Sequence, residues 1–336
     1  MKIITNILLL IAGFFLCHRG FTQDIHFSQF FAAPFTLSPS ETGFYDGNWR
    51  IANLYRRQWD AIGVPYITIS FGGDLPFNIR NETFGAGANI VHDQSGDAKL
   101  TVTKITGGAS YMKRSGIHRF CIGLQAGYVM KTYSLEGLTF PNQYDYNEGI
   151  FDSQLPSNET GLGNKLTYLD LNIGFGWKAR LNRFEPYFTL AGFHLNRPRE
   201  SFDLSENRLP LRSVIAAGGK FDAAGRIYLS PNILYMRHSG ASDLLFGMNL
   251  GYKLGNDIVQ SVYIGPYYRG DVVTQTDAAV VVFGAGIKYL DVGFSYDINL
   301  SGLTRVTSHR GAFEISVIYT SASTKVYKTS IPCERF

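Results

Sequence analysis

The chain has 336 residues and is rich in Gly and aromatic residues but poor in charge. Gly accounts for 36 residues and aromatic residues for 14%, while charged residues make up 17% against about 25% in ordinary proteins. Such a chain is too apolar to be disordered. Three Cys exclude a disulfide-rich scaffold, and a formal net charge of +4 without a Lys/Arg-rich run argues against nucleic-acid binding. The composition favours a large all-β protein.

The first 22 residues have the three parts of a secretory signal peptide. Lys2 supplies positive charge, and an apolar stretch follows at 7–17. Gly20 and Thr22 are small residues placed two apart, as signal cleavage requires. We therefore predict export, with cleavage between Thr22 and Gln23. No later stretch has about 18 consecutive apolar residues, so the exported chain either leaves the membrane or enters one as a β-barrel.

Alternation of apolar and polar residues dominates the rest of the chain. Between Phe120 and Met130, one parity is apolar throughout, whereas the other holds Cys, Gly, Gln and Val. Because successive side chains of a strand point to opposite faces, this pattern predicts a strand with one apolar face. Three further segments alternate in the same way, at 169–178, 290–298 and 313–319.

Ten weaker strand candidates fill the gaps, which gives about fourteen strands, most of roughly the ten-residue length that a tilted membrane strand needs. The sequence has no linker or composition shift between Asn48 and Thr320, so we predict a single barrel domain. The ten candidates are 48–56, 66–72, 83–91, 100–111, 185–195, 213–221, 226–237, 242–253, 259–269 and 278–289.

The connections between the predicted strands alternate between long and short. Those at 92–99, 134–165 and 196–212 are long, whereas those at 113–116 and 222–225 are short. Outer-membrane barrels have short periplasmic turns and longer extracellular loops, while a Greek-key sandwich has no reason to alternate. The predicted fold class is therefore all-β, an up-and-down antiparallel outer-membrane β-barrel of about fourteen strands. The exception is 238–240, which is short on the long side.

The two faces of the predicted strands differ in charge. Aromatic residues of the apolar face lie near both strand ends, as in the girdles of membrane barrels. An Arg replacing Phe175 on this face should impair assembly, and an Arg replacing Asn172 on the inward face should be far milder. Both signs of charge are tolerable in a water-filled or partly filled lumen. The inward charges are Lys104, Asp170, Lys178, Arg269, Lys288, Asp291, Asp297 and Glu314.

The sequence contains no pattern typical of a catalytic, cofactor or metal site. Gly85-Ala86-Gly87 lacks the third Gly and the helix that nucleotide binding requires. The segment 93–97 resembles a calcium loop only faintly, because Lys104 occupies the twelfth position, where an acidic ligand is needed. We expect a protein that is not an enzyme. Four histidines map near the long-loop rim without metal-ligand spacing: His92, His194, His238 and His309.

Motifs along the chain resemble one known family. The predicted mature chain opens with QDIHFSQFFAAP at 23–34, followed by DGNWR at 46–50 and YRRQW at 55–59. Further motifs are FHLNRP at 193–198, SYDINLSGLT at 295–304, RGAFEIS at 310–316 and IPCERF at 331–336. Together they resemble the PorP/SprF family, membrane components of the type IX secretion system of Bacteroidetes-type bacteria. Glu334 departs from the family, which has Pro there.

The resemblance implies a non-enzymatic outer-membrane barrel that assists secretion or surface attachment of cargo proteins with C-terminal sorting domains, including gliding adhesins. It implies contact with outer-membrane lipid and with the periplasmic ring and lipoprotein components of the system, and it implies no cofactor. The alternative is a passive porin or a FadL-like uptake channel, which differs in needing an open lumen. A surface enzyme such as a barrel lipase is less consistent with the sequence, which has no paired Ser/His arrangement.

The expected organisation is a signal peptide at 1–22, a periplasmic N-terminal segment at 23–47, the outer-membrane barrel at 48–320 and a periplasmic C-terminal tail at 321–336. An even number of strands leaves both ends of the barrel on one side of the membrane. The N-terminal segment and the tail would therefore both lie in the periplasm.

Two arginines in the long loop at 196–212 are candidates for partner contact. Arg197 and Arg199 flank Pro198, which fixes its own φ and favours extended geometry at Arg197. Their guanidinium groups suit a carboxylate on a cargo domain. The alternative is that one of them pairs with Glu200 or Asp203 and only orders the loop.

Overall fold

The computed structural model describes residues 24–61, 63–152, 154–157, 165–202, 206–255, 257–271, 276–302 and 304–323. Fourteen antiparallel strands of these residues close into one barrel, in which sequence neighbours pair and the first strand pairs with the last. The predicted fold class is confirmed. Across the described ranges, no helix is long and apolar enough to span a membrane. The predicted signal peptide, its cleavage site and the tail from 324 onward lie outside the described residues.

We number the barrel strands in chain order. They are β1 (Arg50–Gln58), β2 (Tyr66–Ile79), β3 (Glu82–Ser95), β4 (Leu100–Ser115), β5 (His118–Thr132), β6 (Lys165–Ala179), β7 (Phe184–Phe193), β8 (Arg212–Ala224), β9 (Ile227–His238), β10 (Ala241–Lys253), β11 (Val259–Gly270), β12 (Thr276–Ile287), β13 (Leu290–Asn299) and β14 (Arg310–Thr320).

The helical elements are short. Single 3₁₀ turns lie at Phe30–Ala32, Pro39–Glu41 and Pro141–Gln143, and the two helices are α1 (Pro34–Leu37) and α2 (Thr304–Thr307). The loop between β5 and β6 carries a small hairpin that pairs Tyr144–Asp145 with Ile150–Phe151.

Each predicted strand has a counterpart in the barrel, and β2 differs most from its prediction. The sequence predicts an end at Gly72, where Gly, Asp and Pro interrupt the apolar pattern, but the strand continues to Ile79. Asp74 is buried there and pairs with Arg50 of β1, with 2.8 Å between Oδ2 and Nη2. A charged residue inside a strand is therefore tolerated because the neighbouring strand neutralises it.

The two ends of the barrel differ in loop length, as predicted. Two-residue turns at 80–81, 116–117 and 225–226 join strands at one end, whereas 133–164 and 194–211 connect strands at the other. Following the general rule for outer-membrane barrels, we call these the periplasmic end and the surface end. The short connection predicted near 238–240 is present at the surface end, at 239–240.

The connection at 92–99 was predicted to be a long loop, and this is wrong. Strand β3 continues to Ser95 and takes up the first half of this segment, so that only 96–99 separates β3 from β4. The segment looks like a loop because it is polar. Its polar groups bond to neighbouring strands instead: Thr68 Oγ1 lies 2.6 Å from Asp93 Oδ1, and His92 Nδ1 lies 3.1 Å from Thr103 Oγ1.

The parity assignment of the strands agrees with the burial of their side chains. Leu124 is 59% exposed on the outer face, while its neighbour Gln125 is buried inside. Aromatic rings cluster outside the periplasmic end, where Tyr319 stacks on Trp49 with ring centroids 4.7 Å apart and also contacts Tyr289. Lys288 is an exception to the inward set, because it lies in the turn between β12 and β13 and is exposed.

The lumen of the barrel is filled by residues 24–48, which we call the plug. The expectation that 23–47 is a periplasmic segment outside the barrel is therefore corrected for the described part of that range. Phe27, Phe30 and Phe44 are each at most 3% exposed, and the plug's hydrogen bonds reach strands all around the wall. Lacking a strand pattern, the segment looks external, but its aromatic residues need burial and only the lumen provides it.

Phe175→Arg should impair barrel assembly, because a charged side chain at mid-strand on the lipid face costs about 2–4 kcal/mol. Phe151→Arg, the same change at an exposed position of the loop hairpin, should assemble normally. Heat-modifiable gel migration of outer-membrane fractions measures both. Equal assembly of the two variants would contradict the lipid-facing assignment of Phe175.

The sequence suggests that Asn172→Arg, on the inward face, has only a mild effect on assembly, but the structure argues against this. Its side chain is 2% exposed; Nδ2 donates to Gln125 Oε1 at 3.0 Å, and Oδ1 accepts from the backbone N–H of His194 at 3.0 Å. An Arg there has no space, so Asn172→Arg is also expected to be disruptive.

Candidate functional site

The plug runs the full length of the lumen. Asp24 lies at the surface end, where its Oδ2 is 2.7 Å from Nη1 of Arg212, the first residue of β8. Asp46 lies at the periplasmic end, where it bonds to Arg119 and Arg180 near the ends of β5 and β6. The chain then enters β1, so the plug and the first strand run antiparallel to each other along the barrel.

Local sequence explains why the plug folds into compact turns rather than a strand. Pro34 begins α1 and Pro39 begins the next 3₁₀ turn, positions where a missing N–H is harmless and the fixed φ is favourable. The Oγ of Ser38 accepts from the backbone N–H of Ser40 at 3.2 Å, which caps the second turn. Such turns satisfy much of the backbone locally, as a segment surrounded by barrel wall requires.

Glycines of the wall make room for the plug. A Cβ built on Gly123 of β5 would overlap the carbonyl oxygen of Pro39, one on Gly174 of β6 would overlap Ser38, and one on Gly85 of β3 would overlap Thr42. Gly107 of β4 has open space around its Cβ position. The wall therefore has glycines, without side chains, at the positions where the plug passes closest to it.

Four ionised side chains of the wall form a buried cluster toward the surface end, which we call the Arg56 cluster. Arg56, Arg269, Asp297 and Glu314 are each at most 3% exposed. Asp297 Oδ2 lies 3.1 Å from Arg56 Nη2 and 2.7 Å from Arg269 Nη1, and Arg56 also bonds to Glu314. Asp277 at the rim joins the cluster, because its Oδ2 lies 2.6 Å from Arg269 Nε.

The plug supplies hydrogen bonds to both carboxylates of this cluster. The backbone N–H groups of Ser28 and Gln29 donate to the two oxygens of Glu314 at 2.7 and 2.8 Å. The hydroxyl of Ser28 donates to Asp297 Oδ2 at 2.9 Å. Buried charges are stable only when their remaining donors and acceptors are satisfied. The Arg56 cluster therefore depends on the plug, and the plug is fixed by the cluster.

A second polar cluster lies at the surface end around Asp24. His194, just after β7, has its Nε2 3.2 Å from Asp24 Oδ2 and its Nδ1 2.8 Å from Asp170 Oδ1. Lys104 neutralises Asp170 from the other side, at 2.5 Å. The aspartates of the plug and wall are thus joined through one imidazole, and this histidine serves as a structural link.

Of the four histidines predicted at the rim, the fold brings two together and keeps the other two apart. His194 and His238 meet, with ring centroids 5.7 Å apart, whereas His92 bonds to Thr103 and His309 to the carbonyl of Asn299. In the described parts of the chain, no group of three or more His, Cys, Asp or Glu side chains is arranged to hold a metal ion.

A third set of contacts fixes the plug toward the periplasmic end. Glu41 Oε2 lies 2.8 Å from Lys178 Nζ, and its other oxygen accepts from Thr189 Oγ1 at 3.2 Å. Arg50 joins the plug to the wall, because its Nη2 bonds both to the Glu41 carbonyl at 2.9 Å and to Asp74. Asp74 also accepts from the backbone N–H of Gly43 at 2.6 Å.

The loop arginines predicted from sequence lie apart from these clusters. Arg197 and Arg199 are exposed at the surface end. The extended geometry predicted for Arg197 is wrong, because its φ is 42° and its N–H closes a turn on the His194 carbonyl at 2.9 Å. Glu200 pairs with Lys131 of β5, and Asp203 lies outside the described residues.

Sequence analysis missed the plug, although two signals point to it. Residues 27–35 contain four Phe, which a periplasmic linker has no reason to carry. The predicted inward charges of both signs also need partners that the wall alone supplies incompletely. Lys178 is the clearest case, because its carboxylate partner is Glu41 of the plug.

Comparison with known proteins places the chain in a family. The family described as "Type IX secretion system membrane protein PorP/SprF" matches residues 20–319. The chain belongs to this family. Among curated proteins, no significant sequence match was found.

The chain is similar to several solved structures at low sequence identity. A mutant of the TodX monoaromatic hydrocarbon channel is 12% identical, with 84% of this chain and 91% of that chain covered and a TM-score of 0.47. The toluene transporter TbuX of Ralstonia pickettii is 10% identical, with 87% and 94% covered and a TM-score of 0.47. A FadL homologue of Pseudomonas aeruginosa is 12% identical, with 86% and 93% covered and a TM-score of 0.43. We draw no functional conclusion from these similarities.

Gly123→Ala should loosen the plug, because the added methyl overlaps the Pro39 carbonyl, at a cost of about 1–3 kcal/mol. Gly107→Ala, the same change on the adjacent strand, has open space and should be neutral. Limited proteolysis of the purified barrel, with cleavage sites mapped within 24–48, compares the two variants. Identical protection of the plug in both would contradict the close contact at Gly123.

Glu314→Gln should destabilise the barrel by about 3–5 kcal/mol, because it leaves Arg56 in a buried cluster with one carboxylate fewer. Glu82→Gln removes a carboxylate from an exposed pair with Lys113 and should change stability little. The temperature at which heat-modifiable migration is lost provides the measurement. A similar shift for both variants would mean that the Arg56 cluster has no special role.

Proposed function

We propose that this protein is an outer-membrane component of the type IX secretion system that assists secretion or surface attachment of cargo with C-terminal sorting domains, including gliding adhesins. The observation that carries the proposal is the family match over residues 20–319. Its partners would be outer-membrane lipid, the periplasmic ring and lipoprotein components, and the cargo itself. The protein acts in this scheme without enzymatic activity and without a cofactor.

The filled lumen favours this proposal over a passive porin or a FadL-like uptake channel. Two interior cavities beside the plug measure about 20 and 10 Å³, room for roughly one water molecule each. Passage of a solute would require breaking the contacts of Ser28, Glu41 and Asp24 with the wall. A barrel built in this way is better suited to binding partners at its two ends than to conducting solutes.

In this proposal, the two ends of the barrel bind different partners. The surface end presents the long loops, with Arg197 and Arg199 exposed as candidate contacts for a cargo carboxylate. The periplasmic end presents short turns and the exit of the plug, where components of the secretion machine would bind. The plug connects the two ends, with contacts to the wall at Asp24, Glu41 and Asp46.

The proposal predicts that removal of the protein abolishes cargo display at the cell surface and that the purified barrel conducts no ions. Cells lacking the protein should no longer display proteins with a C-terminal sorting domain, and wild-type complementation should restore them. Removal of the sorting domain from the cargo is the matched control. The purified barrel should give no steady current in planar bilayers. Normal cargo display together with a stable open-pore current would instead support the channel function.

A further inference from the structure

The periplasmic end contains a cavity of about 260 Å³. Three segments form it: the exit of the plug at 44–46, the region around the β4–β5 turn at 114–119, and the region around the β6–β7 turn at 178–187. These segments come from the plug and from two separate turns, so the cavity exists only in the assembled molecule.

Cations outnumber anions in the lining of this cavity. Arg114, Arg119, Lys178 and Arg180 line it together with two carboxylates, those of Asp46 and Glu185. Asp46 accepts from Arg119 Nη1 at 2.5 Å and from Arg180 Nη2 at 2.7 Å. Glu185 lies 2.8 Å from Arg180 Nε. Arginine side chains that converge on one carboxylate in this way form a site matched to carboxylate geometry.

Apolar and aromatic groups lie beside these charges. Arg119 lies over the ring of Phe44, 5.2 Å from its centroid, and Lys178 approaches the same ring to 4.5 Å. Ile117, Pro186 and Tyr187 add apolar surface, and Ile117 is 48% exposed. The cavity therefore combines guanidinium donors with an apolar wall, as needed for an acidic peptide that also carries apolar side chains.

The cavity opens toward water rather than toward lipid. Its residues Arg119 and Lys178 have the inward parity, while their neighbours Phe120 and Trp177 have the lipid-facing parity. An occupant thus arrives from the periplasm at the mouth of the lumen. This position favours a peptide segment over the headgroup of a membrane phospholipid.

We propose that the cavity at 44–46, 114–119 and 178–187 binds an acidic segment of a periplasmic protein. The proposal rests on the function proposed above, because a type IX secretion component needs a periplasmic partner. It adds the place of contact and the charge of the partner. The carboxylates of the segment would bond to Arg119 and Arg180, and its apolar side chains would pack on Ile117 and Pro186.

Asp46 is the residue with which the partner has to compete. Burial opposes its ionisation, but Arg119 and Arg180 hold the pKa of Asp46 below its usual value, so it is charged at neutral pH. An incoming carboxylate takes over guanidinium donors that now bind Asp46. Because Asp46 belongs to the exit of the plug, occupation of the cavity also releases one of the contacts that hold the plug at the periplasmic end.

Site-specific photocrosslinking in living cells tests the proposal. Ile117→p-benzoylphenylalanine places the photoreactive group in the cavity, and the same change at Leu254, in the β10–β11 turn at the same end, is the positional control. The Ile117 variant should form a protein adduct whose crosslinked peptide, mapped by mass spectrometry, is acidic. The Leu254 variant should not form this adduct.

Charge variants determine whether the cavity is responsible for the adduct. Arg119→Gln combined with Arg180→Gln should lower adduct yield about tenfold, because charge-assisted bonds to the partner are lost. Asp46→Asn should raise the yield, because the competing carboxylate is removed. Lys253→Gln, which changes a lysine paired with Asp222 elsewhere at this end, should leave the yield unchanged. Gel migration confirms assembly of each variant.

The outcomes separate this proposal from the proposed function. No adduct at Ile117, a lipid adduct, a neutral or basic crosslinked peptide, or a yield insensitive to Arg119, Arg180 and Asp46 would each overturn the acidic-segment proposal. Cargo display in the same cells reports on the secretion function independently. The secretion function alone would be refuted by two results together: normal adducts in cells that carry the Ile117 variant, and normal cargo display in separate cells that lack the protein.

Discussion

The carboxylate of Glu314 imposes the main constraint on this barrel. It is fully buried, and its partners are Arg56 of the wall and two backbone N–H groups of the plug. A buried carboxylate left with part of these bonds is strongly unfavourable. The wall and the plug consequently form a single cooperative unit, because neither satisfies its polar groups alone. The same dependence recurs at Asp24 with Arg212 and at Glu41 with Lys178.

Small residues and charged residues both hold the plug, but in different ways. Glycines such as Gly123 and Gly174 allow the plug backbone to approach the wall closely, which fixes its path. The charge clusters then fix its register along that path, since a shift of one residue would separate Ser28 from Glu314. A lumen organised in this way is a specific binding site already occupied by the protein's own chain. In the proposed function, the surfaces that bind partners therefore lie at the two ends of the barrel.

The sequence predicted the wall well and the interior poorly. Period-2 alternation identifies strands locally, and loop lengths identify the two ends, so the closed fourteen-strand barrel follows from short-range patterns. The plug has no such period, and its contacts join residues far apart in the chain, such as Ser28 and Glu314. The cavity at the periplasmic end was missed for the same reason, because Asp46 meets Arg119 and Arg180 only when the plug packs against the paired strands β5 and β6. Arg197 and Arg199 are exposed, as their loop position predicts, and their role in partner contact stays a prediction.

The seam between the first and last strands has a consequence for how the barrel is made. Arg56 of β1 and Glu314 of β14 are direct cross-strand partners in that seam, and both contact Ser28 of the plug. The pairing of β1 with β14, which closes the cylinder, is therefore also the one whose side chains bind the plug. Closure without Ser28 in place would leave the Glu314 carboxylate without the two backbone N–H groups of the plug, so an empty barrel would lack part of the hydrogen bonding at its seam. The strand pairing that seals the cylinder and the contacts that hold the plug therefore stabilise each other.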